Sequence, residues 1–289
     1  MKTLVLLHGW GTYGQVWRRQ VEVFGGGGEI VIGGGGKGAQ PLSPSPEPPP
    51  PIPERELIEA GAGNLEFPAP ATKPLTVLTP ALPAWDREWL VNYLGNLTLE
   101  DTAVVGWSLG GMLLLEALAE MAGPPAALVL VAVSAVFCQH LGHPLGQPPA
   151  AVRALRRALV TDPRRVLRDF ALDCLAPGEE VFQDEVATLF MPPETGADLA
   201  RGLDYLLHQD LRPLLPRISG PLTIIQGDRD RIVPLNQAEF LHRHLPGASL
   251  VILPGAGHLP FWTQAAAFNQ ILDDIIKKSW GEGVRGCAP

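Results

Sequence analysis

Ser108 lies at the centre of Gly106-Trp107-Ser108-Leu109-Gly110-Gly111, and its surroundings suit a nucleophile. The residues before it, Thr102-Ala103-Val104-Val105, read as a buried strand, and those after it, Met112 to Leu118, as a helix. Gly-x-Ser-x-Gly between a strand and a helix is a nucleophile elbow, in which small flanking residues permit a turn sharp enough to hold the hydroxyl clear of the backbone. The amide of Leu109 then falls at the helix N-terminus, where developing negative charge is stabilised. Taken alone, the motif reads equally well as a tight turn in a chain with 32 glycines. Its meaning depends on a base to take the serine proton and a carboxylate to hold that base in one tautomer, a set whose chemistry is acyl transfer.

Candidates for both follow in the chain. Leu222-Thr223-Ile224-Ile225-Gln226 reads as a strand ending in Gly227-Asp228-Arg229-Asp230, and Leu250-Val251-Ile252-Leu253 as one ending in Pro254-Gly255-Ala256-Gly257-His258. Each candidate thus follows the C-terminal end of a strand, where open α/β sheets place their sites. Asp230 is favoured over Asp228 as the acid, because Gly227 to Pro234 resembles the α/β-hydrolase pattern of Gly-x-x-Asp, apolar residues and Val-Pro only if Asp230 is the acid; Asp228 reads as a turn residue or a partner for Arg229. His242 and His244, at i and i+2 on a helix, point to different faces and argue against a metal pair. His140, His143 and His208 lack a strand-end context.

The order Ser, Asp, His is that of α/β-hydrolases and differs from the trypsin and subtilisin orders. At the N-terminus, Thr3-Leu4-Val5-Leu6-Leu7 runs into His8-Gly9-Trp10-Gly11, and in that fold such a loop supplies a second oxyanion-hole amide, here Trp10, with His8 tying the loop down. The chain resembles the pimeloyl-acyl carrier protein methyl ester esterases, carboxylesterases of biotin synthesis. The residues that carry this are His8-Gly9-Trp10-Gly11 with Val16-Trp17, Gly106 to Gly111, and Gly202-Leu203-Asp204-Tyr205-Leu206 through Asp210-Leu211-Arg212. The match covers residues 1–24 and about 75–278. It implies a triad of Ser108, Asp230 and His258, with Trp10 and Leu109 lining the oxyanion hole and, with Phe170 and His258, the substrate pocket.

These signals together predict one α/β-hydrolase domain over residues 1–289, with a mostly parallel central sheet flanked by helices, a helical lid over 134–215 and a flexible tail over 279–289. Unbroken apolar runs such as Leu128 to Val133 suit a sheet covered on both faces. Residues 25–74 depart from the family. Gly25 to Gly28, Gly33 to Gly36 and Pro48 to Pro51 read as a low-complexity insertion with little to bury, and no Gly-Lys-Ser or Gly-Lys-Thr makes it a phosphate loop. Leu75 to Thr79 is the expected second strand, with Glu29 to Ile32 as its rival.

A formal net charge of −8 argues against nucleic acid or anionic membrane as general partners. The chain opens directly on a core strand and has no apolar run of membrane-spanning length, so a cytoplasmic protein, a monomer, is expected. Cys138, Cys174 and Cys287 have neither zinc-ligand nor disulfide spacing and read as free thiols. Against the acidic background, Arg153, Arg156, Arg157, Arg164, Arg165 and Arg168 crowd one stretch. Asp162-Pro163 reads there as the N-cap and first turn of a second helix. A solvated basic face is one reading of the cluster. The resemblance implies another, in which Arg156, Arg157, Arg165 and Arg168 dock an acyl carrier protein; Pro177-Gly178-Glu179-Glu180 is acidic where further arginines would stand.

The function implied is hydrolysis of pimeloyl-acyl carrier protein methyl ester to the free acid and methanol, with no metal or organic cofactor. A short-chain carboxylesterase or thioesterase would use the same triad. A prolyl aminopeptidase-like enzyme would need an acidic pair for a free amine, and a non-catalytic binding protein would carry a broken triad.

Overall fold

The apolar runs become the strands of one sheet in the computed structural model, which describes residues 1–25, 30–32, 75–190 and 196–281. The strands are β1 (Thr3–Leu7), β2 (Ile30–Ile32), β3 (Thr76–Thr79), β4 (Thr102–Trp107), β5 (Ala127–Val131), β6 (Leu222–Gly227) and β7 (Ser249–Leu253). They lie in the order β2-β3-β1-β4-β5-β6-β7, and every neighbouring pair is parallel. Every residue of β1, β4 and β5 is buried, as a sheet covered by helices on both faces requires.

The covering helices are α1 (Arg18–Phe24), α2 (Arg87–Gly95), α3 (Ser108–Leu118), α4 (Pro149–Thr161), α5 (Pro163–Asp173), α6 (Gln183–Leu189), α7 (Gly196–His208), α8 (Leu235–His244), α9 (Pro260–Thr263) and α10 (Ala265–Trp280). Four of them, α4 to α7, lie between β5 and β6 in the chain, the interval that the sequence assigns to a lid. The cap at Asp162 forms as its residue type dictates: its Oδ1 accepts the amide of Arg165 at 3.0 Å, with Pro163 opening α5. Among the described residues no helix is long and apolar enough to cross a membrane.

From β1 the chain runs out to the edge strand β2, turns back through β3, and crosses past β1 to β4, after which the strands continue in order to β7. That reversal opens a crevice beyond the strand ends, and the pairing of Leu7 with Gly106 brings the loop after β1 beside Ser108.

Two expectations need correction. Residues 25–74 are not wholly outside the sheet, since Ile30–Ile32 forms the edge strand: Thr76–Thr79 pairs with β1, and Ile30–Ile32 adds to its far side. The rivals are therefore both strands, because a β-branched run can take the open ladder of β3. The rest of the insertion, apart from Gly25, lies outside the described residues. At the other end, Ser279 and Trp280 belong to α10 and not to a tail, for Trp280 packs on the core and Ser279 Oγ donates to Ile275 O at 2.8 Å. The remaining tail, 282–289 with Cys287, lies outside the described residues. Cys138 and Cys174 are buried free thiols.

Candidate active site

Ser108 begins α3 directly after β4, with φ of 52°, a left-handed conformation unusual for a residue with a side chain. The turn is tight enough that a Cβ on Gly110 would lie 2.1 Å from the carbonyl oxygen of His8. Glycine at 110 is therefore what lets α3 start against the loop after β1.

Ser108 Oγ stands 3.0 Å from His258 Nε2, and His258 Nδ1 stands 2.8 Å from Asp230 Oδ2. This network assigns the imidazole proton to Nδ1, donated to the carboxylate, and leaves Nε2 to accept the serine hydroxyl. The other Asp230 oxygen, Oδ1, accepts the amides of Ile232 at 2.8 Å and Val233 at 2.9 Å. All three side chains are buried, His258 and Asp230 almost completely. Asp228 faces elsewhere, accepting the amide of Gly255 at 2.7 Å.

His8 has a supporting place. Its Nε2 accepts the amide of Leu82 at 3.2 Å and its Nδ1 donates to Gly9 O at 3.1 Å, joining the loops after β1 and β3. Burial pushes its pKa down to about 4, so the ring is neutral. Trp10 is anchored by an indole bond to Leu199 O of α7 at 2.8 Å and meets Phe170 edge-on at 5.0 Å. Leu109 is fully buried, so what it can offer a substrate is its amide in the first turn of α3, one of the donors without an intrahelical acceptor.

Beside this set lies a largely apolar cleft of about 740 Å³ under α4, α5 and α7, lined by residues including Trp10, Leu155, Phe170, Leu203, Leu206 and Ile232. Ser108 and His258 do not line it, but Ile232, whose amide bonds Asp230, and Trp10, in the loop after β1, do. A second groove, of about 530 Å³, runs along α5 beside Arg164, Arg165, Arg168 and Thr188. Arg157 is exposed on α4. Arg156, half-exposed, is paired across to α7, its guanidinium gripping both carboxylate oxygens of Asp204 with the Nη2 bond at 2.8 Å. That fork joins two helices.

A match to the model of the alpha/beta hydrolase family spans residues 4–271. The chain belongs to that family. This hydrolase is 32% identical over 178 residues to a pimeloyl-[acyl-carrier protein] methyl ester esterase of Nitrosomonas europaea, covering 60% of the chain and 70% of that relative. It is 26% identical over 279 residues to the protein of the same name from Aeromonas hydrophila, covering 94% of each. Among solved structures, a bromoperoxidase from Bacillus anthracis (TM-score 0.72, 18% identity) and an esterase from Exiguobacterium antarcticum (TM-score 0.70, 20% identity) share its fold. Each comparison covers 96% of this hydrolase and 92% of the other chain.

Several residues that shape the site escape a sequence reading. Gln226 Nε2 donates to Asp230 Oδ2 and to Val233 O, both at 2.9 Å, bracing the acid from the C-terminal end of β6. Trp107 donates its indole N–H to His258 O at 2.9 Å, so the residue before the serine also holds the histidine backbone. Glu179, buried in the segment after α5, accepts the amide of Gly257. The only sequence signal for Trp107 was its place in the elbow; Gln226 and Glu179 carry none, because their partners are set by tertiary contacts.

Proposed function

We propose that this hydrolase is a serine carboxylesterase that hydrolyses pimeloyl-acyl carrier protein methyl ester, releasing methanol, in biotin synthesis. The observation that carries the catalytic part is the continuous line from Ser108 Oγ through the His258 imidazole to Asp230, buried at the strand ends. Ser108 attacks the ester carbonyl while His258 Nε2 takes its proton, and Asp230 orients the ring and stabilises the imidazolium. The amides of Trp10 and Leu109 receive the oxyanion. As the tetrahedral intermediate collapses, His258 gives its proton to the departing methoxy group. The base then takes a proton from water, which attacks the acyl-enzyme, and returns it to Ser108 Oγ as the acyl C–Oγ bond breaks, releasing the acid and restoring the serine.

The substrate rests on the names of the relatives and on the shape of the region beside the triad. An apolar cleft that begins at Trp10 and is roofed by Phe170 suits an acyl chain, and the arginine groove along α5 suits the acidic surface of a carrier protein with its phosphate-bearing arm. In this reading α4 to α7 form the lid, with Arg157, Arg164, Arg165 and Arg168 as docking residues. Two measurements test the assignment. A serine-reactive phosphonate should label Ser108 alone and Ser108→Ala should neither be labelled nor turn over esters while keeping its circular dichroism. The wild-type gene should rescue a biotin-requiring strain lacking its methyl ester esterase; labelling without rescue would leave a general carboxylesterase.

A further inference from the structure

The loop that carries His258 is held from two sides. On the sheet side, Arg229 N donates to Ala256 O at 3.0 Å, and Trp107 holds His258 O. On the other side stands a short segment between α5 and α6, Cys174 to Glu180. Cys174 O accepts the amide of His258 at 2.8 Å, and Glu179 Oε2 accepts the amide of Gly257 at 3.1 Å together with that of Ala176 at 2.8 Å. Two successive main-chain amides, the second being that of the candidate base, are thus fixed by one segment. The approach is close: a Cβ on Gly257 would lie 2.5 Å from Cys174 O and 2.8 Å from Glu179 Oε2. Arg231, next to Asp230, also donates to Leu175 O at 3.0 Å, so the acid loop meets the same segment.

Glu179 is an unusual choice for that place. It is only 6% exposed, and its second oxygen, Oε1, is buried without a partner among the described residues. Burying an acidic side chain against two neutral amides is costly, and an apolar residue would fill the space without that penalty. What the side chain provides is an acceptor that spans from Ala176 to Gly257.

We propose that Glu179 is a positioning residue for His258, fixing the backbone from which the imidazole reaches Ser108. The inference rests on the assignment of His258 as the base. Without the acceptor, the Gly257 amide is unsatisfied, the loop relaxes away from the segment, and Nε2 drifts from its 3.0 Å contact with Ser108 Oγ. The loss falls on the chemical step and not on the cleft, which Glu179 does not line.

The test uses the full-length chain and a small soluble aryl ester, with Glu179→Ala, Glu179→Gln and Glu179→Asp, and Glu180→Ala as a neighbouring control. Glu180 is exposed and, among the described residues, bonds only its own turn, through Gly178 N. Glu179→Ala should lower kcat by about ten- to a hundredfold with KM nearly unchanged, the scale expected when a reacting group is displaced by a fraction of an ångström to one ångström. Glu179→Gln keeps a carbonyl acceptor and should recover most of kcat, and phosphonate labelling of Ser108 should slow and recover in parallel. Glu180→Ala should match the wild type. If Glu179→Ala does not fold, Glu179→Asp, one methylene too short for both amides, carries the same comparison against Gln. Wild-type kcat in folded Glu179→Ala, or a Gln variant as impaired as the alanine one, overturns the proposal. Absence of turnover and labelling in the wild type itself would instead overturn the esterase assignment on which it rests.

Discussion

At the scale of single residues, Asp228 and Asp230 share one loop and one chemistry yet have different partners. Asp230 gives one oxygen to two amides and the other to Gln226 and His258, so every direction of its carboxylate is used. Asp228 steadies the turn before the histidine by accepting the amide of Gly255. Asp230→Asn should lower kcat by about four orders of magnitude, since an amide donating to the imidazole would favour the wrong tautomer. Asp228→Asn retains an acceptor and should cost only a few-fold. Equal losses in steady-state assays of the two variants would reassign the acid.

At the scale of elements, the basic stretch divides. On α4, Arg156 is drawn across to Asp204 of α7, whereas on α5 Arg164, Arg165 and Arg168 border an open groove. Arg165 also reaches Asp169 one turn on, at 3.4 Å between exposed side chains, a pair of small energetic consequence. Charge reversal of Arg164, Arg165 and Arg168 to Glu should therefore act on encounter with an acidic carrier. We expect kcat/KM on an acyl carrier protein ester to fall at least about tenfold at low salt, and the deficit to shrink as salt rises, because the screening length is about 10 Å at 0.1 M. Turnover of a small aryl ester, which has no carrier to dock, should change little. A parallel fall on both substrates, or none on either, would reduce these arginines to a solvated face. Arg156→Ala should behave differently, loosening α4 from α7 by the modest amount an exposed ion pair supplies.

At the scale of the whole molecule, His8 links stability to acidity. Its folded pKa, about 4, lies below the 6.5 of an unperturbed imidazole because burial disfavours the charged ring. Between those values the unfolded chain binds the proton and the folded chain does not, so stability is highest above pH 6.5 and falls as pH drops toward 4. The loss from this one group is roughly 3 kcal/mol at its fullest. Carboxylates contribute their own acid dependence, which a His8→Gln variant shares. Urea midpoints measured from pH 7 to pH 4 should fall more steeply for the wild type than for that variant; parallel curves would show that His8 is not buried neutral.

Local pattern was enough for much of this protein. Apolar runs with glycine or aspartate at their ends announce strands whose C-terminal loops carry Ser108, Asp230 and His258, and Asp162-Pro163 announces the start of α5, because these signals depend on residues a few positions apart. The parallel sheet and the family were legible for the same reason. Tertiary structure decided what lies between distant segments. It added Ile30–Ile32 to the sheet edge, where a free ladder on β3 was available, carried α10 on to Trp280, which finds the core, and paired Arg156 with Asp204 of α7. It also set Gln226, Trp107 and Glu179 around the acid and base, since a buried polar group must find its hydrogen-bond partner in space, and nothing in the order of residues says which amide will arrive there.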